Sequence, residues 1–138
     1  MVSKVSTLET EILREKTIAR KRAAKGPPRE DRAQIEFIEW ARKHCELVWH
    51  TPNARKYSRR SWAYWKAMGV EPGMPDVMLI CQGTHIALEF KRTKNDKPSV
   101  RQKAVLGMLH NRGWKVAVVS SCPEAVRFVR ENAGVRDA

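Results

Sequence analysis

Three ionisable residues near the middle of the chain have the types and spacing of a hydrolytic site. Asp76 follows a proline, and Glu89 and Lys91 form a Glu-x-Lys pair further along. Carboxylates are the oxygen ligands that Mg²⁺ prefers, and the ion commonly uses one or two of them beside water and substrate phosphate. A neighbouring ammonium can stabilise the charge that develops on a phosphate. The trio is therefore typical of metal-dependent phosphodiester hydrolysis.

A hairpin would bring these residues together. Two β-type runs, residues 77–81 and 85–90, flank a short turn at Gln82-Gly83. If the strands pair symmetrically about that turn, Asp76 lies opposite Glu89, and alternation returns Lys91 to the face of Glu89. We expect the other face to be the core, and it carries Val77, Leu79, Ile86, Leu88 and Phe90.

The same residues also have a purely structural interpretation. Glu-x-Lys is a common tripeptide, and Lys91 could simply form a salt bridge with Glu89 at the edge of a sheet. Asp76 would then only begin a strand. The basic charge of the chain and the opposed register favour the catalytic interpretation.

The remaining sequence predicts an α/β domain with a central mixed sheet flanked by helices. Residues 1–28 form a basic extension, helical or partly disordered, that stops at Gly26-Pro27-Pro28, and residues 29–138 form the domain. After the extension we expect a helix over 30–45, a strand over 46–50, and a loop and helix over 54–68, followed by the hairpin. A helix opening at Ser99, a strand over 114–120 and a last helix to about Asn132 complete the domain. The helix at Ser99 carries Val105, Met108 and Leu109 on one face.

The helix over 30–45 has a clear apolar stripe. Its apolar residues recur at steps of three and four, and Glu30 and Gln34 lie on the same stripe, whereas Glu36 and Glu39 fall on the opposite side. The stripe consists of Phe37, Ile38, Ala41 and Cys45. This geometry sends only one of the three glutamates towards the sheet.

Composition narrows the class of protein. The chain has 138 residues, and 27 Lys plus Arg exceed 15 Asp plus Glu to give a net charge of +12, which favours a polyanionic partner such as nucleic acid. No apolar run is long enough to span a membrane, and we expect a soluble, intracellular, cytoplasmic protein. Three cysteines without Cys-x-x-Cys spacing predict buried free thiols and no zinc site.

A basic and aromatic segment is the candidate nucleic-acid surface. Cations there can neutralise phosphates, and aromatic rings can stack on bases, although Trp62 and Trp65 are expected to pack inward. The candidate binding residues are Asn53, Arg55, Lys56, Arg59, Arg60 and Lys66.

Several motifs together resemble a known family. The most specific is Gly-Val-Glu-Pro-Gly-Met-Pro-Asp-Val over 69–77, and Glu-Phe-Lys at 89–91 matches a second motif. Ser-Val-Arg-Gln at 99–102, His-Thr-Pro-Asn at 50–53, and the passage from Leu109 through Gly113 into 116–120 add to it. The sequence from about Glu30 to Arg130 thus resembles the VRR-NUC nucleases of the PD-(D/E)xK superfamily.

This resemblance implies a restriction-endonuclease-like fold and a DNA endonuclease dependent on Mg²⁺ or Mn²⁺. It implies a homodimer and a preference for branched or flap DNA, and metal ligands at Asp76 and Glu89 with a further glutamate from the first helix. Glu30 is the choice by helical geometry, although an acid there also suits the helix dipole.

The resemblance also gives Gln102 a catalytic role near Lys91. The Ser99-x-x-Gln102 spacing equally predicts a capping box, so both roles stay open. Two alternative functions also remain, namely a noncatalytic nucleic-acid-binding module and an exonuclease or nickase on the same scaffold.

Overall fold

The computed structural model describes residues 7–52 and 58–136. The elements found there follow the predicted order, with boundaries within about two residues of the expected ones for most of them. They are α1 (Thr7–Lys25), α2 (Arg29–His44), β1 (Leu47–His50), α3 (Arg59–Ala67), β2 (Val77–Cys81), β3 (Thr84–Phe90), α4 (Val100–Asn111), β4 (Lys115–Val119) and α5 (Cys122–Ala133).

The four strands form one mixed sheet in the order β1-β2-β3-β4, which confirms the α/β fold class. Strands β1, β2 and β3 are antiparallel neighbours, and β4 runs parallel to β3. Val77 pairs with Leu88 and Cys81 with Thr84, as the symmetric hairpin predicts. Gln82 and Gly83 both have positive φ, 49° and 75°, which is the backbone of a two-residue hairpin turn.

Helices cover both faces of the sheet. On one face, the predicted core residues of β2 and β3 are buried against Phe37 and Ala41 of α2 and Val129 of α5. On the other, Met78 and Ala87 pack with Leu109 of α4. The expected core face is confirmed, and the carboxylate-bearing face contains a second, smaller apolar cluster beneath α4.

The apolar face of α4 differs from the expected one. Leu106 and Leu109 are the buried residues, whereas Met108 is 53% exposed. The prediction that Met108 belongs to the packed face is wrong. Because α4 is apolar on several sides, its sequence does not define which side meets the sheet; the contact with Ala87 and Met78 does.

Two of the cysteines are paired, which corrects the expectation of free thiols. Cys45 follows α2, Cys81 ends β2, and the two form a disulfide with their Cα atoms 4.3 Å apart. The pairing of Leu47 with Ile80 brings these residues side by side although 36 positions separate them in sequence. Cys122 is a free thiol.

The remaining helices are more exposed. The side chains of α1 whose burial is known all lie at the surface, as do most of those of α3. Trp65 is 39% exposed and Trp62 half-buried, so the expected inward packing is incomplete for both. Among the described helices, none combines the length and apolar character needed to cross a membrane.

Candidate active site

A cavity of about 440 Å³ opens at the end of the β2–β3 hairpin away from its turn. Five predicted site residues contribute to its lining although they come from four separate parts of the chain. These residues are Glu30 at the start of α2, Asp76 before β2, Glu89 and Lys91 at the end of β3, and Gln102 in the first turn of α4.

The two central carboxylates are held by each other's strands. The backbone N–H of Asp76 donates to Glu89 Oε2 at 3.2 Å, and the backbone N–H of Phe90 donates to Asp76 Oδ2 at 2.8 Å. Glu89 is only 2% exposed. The register of the hairpin thus holds the acids face to face in a partly dry environment.

Burial makes both acids hard to ionise. Burial raises the pKa of Glu89 to about 7, with the charge of Asp76 as the second cause. Burial also raises the pKa of Asp76, although the Phe90 N–H, His50 and Lys91 oppose that effect. Such a pair is stabilised in its charged form by a bound cation, because the cation offsets both desolvation and repulsion.

Lys91 places a positive charge next to the two carboxylates. Its Nζ lies 3.2 Å from Glu89 Oε1 and 3.2 Å from Gln102 Oε1, and 14% of its side chain is exposed. The salt bridge of the structural interpretation is therefore present. It does not neutralise the site, because Asp76 adds a second carboxylate.

Gln102 forms the predicted capping box and also contacts two residues of the cavity. Its Oε1 accepts from the backbone N–H of Ser99 at 2.8 Å, which completes the capping box of α4. The same oxygen accepts from Lys91, while Nε2 donates to Glu89 Oε1 at 2.8 Å. The start of α4 is thereby tied directly to the buried carboxylate.

The three glutamates of α2 are separated as helical geometry predicts. Glu30 is half-buried and lines the cavity, whereas Glu36 and Glu39 are exposed. The charge of Glu36 acts on Cys122, away from the cavity. Ala33 joins Phe37 and Ala41 as the buried residues of the stripe.

The donor set fits a hard divalent cation. Asp76 and Glu89 offer carboxylate oxygens, Glu30 lines the same cavity, and Mg²⁺ needs no more than one or two such ligands beside water and phosphate. Over residues 7–52 and 58–136, the structure contains no cluster of three His, Cys, Asp or Glu side chains close enough to hold a metal by themselves. Two protein carboxylates leave the other coordination positions of such an ion to water and substrate.

Sequence reasoning did not assign several lining residues. His50, the last residue of β1, places Nδ1 2.8 Å from the carbonyl oxygen of Asp76 and 3.0 Å from Gln34 Nε2. Thr51 donates to the same carbonyl through its backbone N–H, and to the carbonyl of Pro75 through its hydroxyl. The His-Thr-Pro-Asn motif is the sequence signal for this support. Asp31 and Arg101 also line the cavity.

The candidate nucleic-acid residues lie apart from this cavity or outside the described residues. Arg59, Arg60 and Lys66 are exposed on α3 and are absent from the lining. Asn53, Arg55 and Lys56 fall in 53–57, which the structure does not describe.

Comparison with known proteins agrees with this architecture. Residues 14–123 match the family model of the VRR-NUC domain. The fold is similar to a solved structure titled "VRR_NUC domain protein", with a TM-score of 0.63 and 19% sequence identity over 81% of this chain and 93% of that one. No curated protein matches the sequence.

Proposed function

Because the chain belongs to the VRR-NUC domain family, a nuclease-like family, we propose that it is a metal-dependent DNA endonuclease whose active site is this cavity. The observation that carries the proposal is the pair of half-buried Asp76 and buried Glu89, opposed across the hairpin with Lys91 and Gln102 beside them. A solely structural ion pair needs one acid and one base. Here a second desolvated acid faces a solvent-accessible cavity.

The roles of the residues follow from their contacts. Asp76 and Glu89 would hold a Mg²⁺ or Mn²⁺ ion, with Glu30 approaching from α2. The chemistry that such an ion supplies is Lewis acidity at the phosphoryl oxygen and a lowered pKa of the attacking water. Lys91 would then place its ammonium against the phosphate or the water, where it stabilises developing negative charge.

Gln102 would keep that ammonium in place. Its amide contacts Lys91 and Glu89 together, so the cation and the carboxylate keep a fixed separation while substrate binds. The role is positioning, because Gln102 carries no charge of its own.

DNA is the substrate that suits both the family and the charge of +12. We include in the proposal a preference for branched or flap DNA and a homodimer, both of which rest on the resemblance to VRR-NUC nucleases. Residues 29–138 would form the nuclease domain, with Arg59, Arg60 and Lys66 of α3 as additional phosphate contacts, and residues 1–28 a basic extension.

The test is a cleavage panel with the purified chain. Closed circular, linear, flap and four-way DNA are incubated with Mg²⁺, Mn²⁺ or EDTA, with Asp76→Asn as the inactive control. We expect metal-dependent linearisation of the circle. Nicking alone would indicate a nickase, and cutting of linear DNA only would indicate an exonuclease. Binding without cleavage under either metal would leave a noncatalytic nucleic-acid-binding module.

A further inference from the structure

Arg101 lines the cavity, and neither the Ser-Val-Arg-Gln motif that contains it nor the metal chemistry gives it a role. It lies in the first turn of α4 and lines the cavity with the carboxylates, and 59% of its side chain is exposed. Lys91, the other Lys or Arg among the described lining residues, is 14% exposed and lies 3.2 Å from Glu89 Oε1. Arg101 is therefore the more accessible positive charge of the two.

The loop that leads into Asp76 holds this arginine in position. Arg101 Nε donates to the carbonyl of Pro72 at 3.1 Å, and Nη2 lies 3.5 Å from Glu71 Oε1. A guanidinium has five N–H donors, so these contacts orient the group and leave others for a ligand.

Gly73 makes this close approach possible. Its φ is +79°, and a Cβ there would lie 2.8 Å from Arg101 Cγ and 3.2 Å from the backbone carbonyl of Arg101. A side chain at this position would push the loop off α4. Gly73 thus lets the loop that leads into Asp76 pack directly against Arg101.

The acidic lining of the cavity gives a reason for a positive charge at Arg101. Within residues 7–52 and 58–136, four acids line the cavity, and Lys91 and Arg101 are the Lys and Arg residues of the lining. The acids are Glu30, Asp31, Asp76 and Glu89. Against Lys91 alone, these four acids give a formal charge of −3 (1 − 4), and a divalent cation at Asp76 and Glu89 reduces it to −1. The charge of Arg101 brings this described lining to neutrality and so lowers the repulsion of an entering DNA strand.

We propose that Arg101 binds a DNA phosphate adjacent to the scissile one, with Glu71 and Pro72 orienting its guanidinium. The inference rests on the proposed nuclease function. Guanidinium groups suit this task because two N–H donors can engage one phosphate in a fixed geometry. Arg101 is thus a substrate-binding residue, distinct from Lys91, which lies beside the carboxylates.

The first test measures DNA binding, independently of cleavage. In an Asp76→Asn background, Arg101→Ala is compared with Arg127→Ala, which removes the same charge from an exposed position of α5 outside the cavity. We expect Arg101→Ala to reduce the slope of log affinity against log salt by about one, and Arg127→Ala to leave it unchanged. Equal slopes in the two variants would overturn the inference.

The second test uses steady-state cleavage by the otherwise wild-type chain. Arg101→Ala should raise KM about tenfold with a smaller change in kcat, and Arg101→Lys should recover part of the loss because it keeps the charge. A fall in kcat with unchanged KM and salt slope would mean that Arg101 only positions α4, and would overturn the inference. Arg101→Gln, with thermal melting of each variant, provides the same readouts if Arg101→Ala does not fold.

The two proposals fail in different ways. If the wild-type chain cleaves none of the substrates with either metal, the nuclease function is wrong, while the salt slopes still report on Arg101. If the wild-type chain cleaves but Arg101→Ala has wild-type KM and salt slope, only the inference about Arg101 is wrong.

Discussion

The two ends of the β2–β3 hairpin place carboxylates in opposite environments. At the turn, the exposed Glu46 accepts from the backbone N–H groups of Gln82 and Gly83 at 2.6 and 3.0 Å. At the open end, Asp76 and Glu89 face each other, and Asp76 accepts the Phe90 N–H at 2.8 Å while Glu89 accepts the Asp76 N–H at 3.2 Å. At the turn, one solvent-exposed acid thus accepts two backbone hydrogen bonds. At the open end, two acids share a partly buried space.

The contacts at the turn end stabilise the fold, whereas those at the open end suit a functional site. The Glu46 contacts satisfy the turn donors and lie next to the Cys45–Cys81 disulfide, so the turn end is built to hold strands together. The open end carries like charges that destabilise a fold when directly opposed. Perturbed acids of this kind cluster at functional sites, where the cost of burying them serves binding or catalysis.

The largest expected effect is the loss of activity from either acid at the open end. Asp76→Asn and Glu89→Gln should each reduce kcat at least about 100-fold, because each removes a metal-ligand charge. Thermal stability without metal should hold or rise, since repulsion is relieved. Glu46→Gln is the matched control at the turn end: we expect near wild-type cleavage and a free energy of unfolding lower by about 1 kcal/mol. Full activity in Glu89→Gln would contradict the site.

The second effect concerns which glutamate of α2 belongs to the open end. Glu30→Gln should lower cleavage about tenfold or more, because its carboxylate lines the cavity. Glu36→Gln and Glu39→Gln remove the same charge from exposed positions of the same helix and should leave kcat/KM near wild type. Loss of activity in Glu36→Gln with an active Glu30→Gln would mean that α2 presents a different face to the site.

Metal binding at the open end should depend on pH through Glu89. Because its pKa is raised to about 7 in the folded chain, a proton competes with the metal below that pH. Affinity for Mn²⁺ in calorimetry should therefore rise about tenfold per pH unit towards pH 7 and level off above it. Glu89→Gln should bind weakly with a flatter profile, whereas Glu46→Gln should keep the wild-type one.

The same pKa shift determines how metal-free stability depends on pH. The folded chain keeps the Glu89 proton between about 4.5, the ordinary value, and about 7, whereas the unfolded chain has lost it. The free energy of unfolding in EDTA should thus decrease as pH rises through this window. A wild-type decrease equal to that of Glu89→Gln would show that Glu89 titrates normally.

The smallest effect on activity is expected from the disulfide at the turn end. Replacing Cys45 and Cys81 by Ser should lower the free energy of unfolding by roughly 3 kcal/mol, because the unfolded chain loses a cross-link between residues 36 positions apart. Cleavage at a temperature where the variant is folded should stay within about twofold. Thiol titration of the denatured wild type should detect only Cys122. Three titrating thiols would show that the bond does not form.

Part of the site could be predicted from local backbone geometry alone. A two-residue turn at Gln82-Gly83 permits one register, so the opposition of Asp76 and Glu89 follows from residue numbers alone. Helical periodicity likewise places Glu30 on the buried stripe of α2 and Glu36 and Glu39 in solvent.

Tertiary packing decided the contacts between segments distant in sequence. Three contacts depend on how one element lies against another. They are the Cys45–Cys81 disulfide, the hydrogen bond from Gln102 to Glu89, and the packing of Arg101 against Gly73. Met108 shows the same dependence, because an apolar helix has several faces that could meet the sheet. Backbone periodicity restricts each element by itself, whereas the choice among faces and partners is made only when all elements compete for the same buried space.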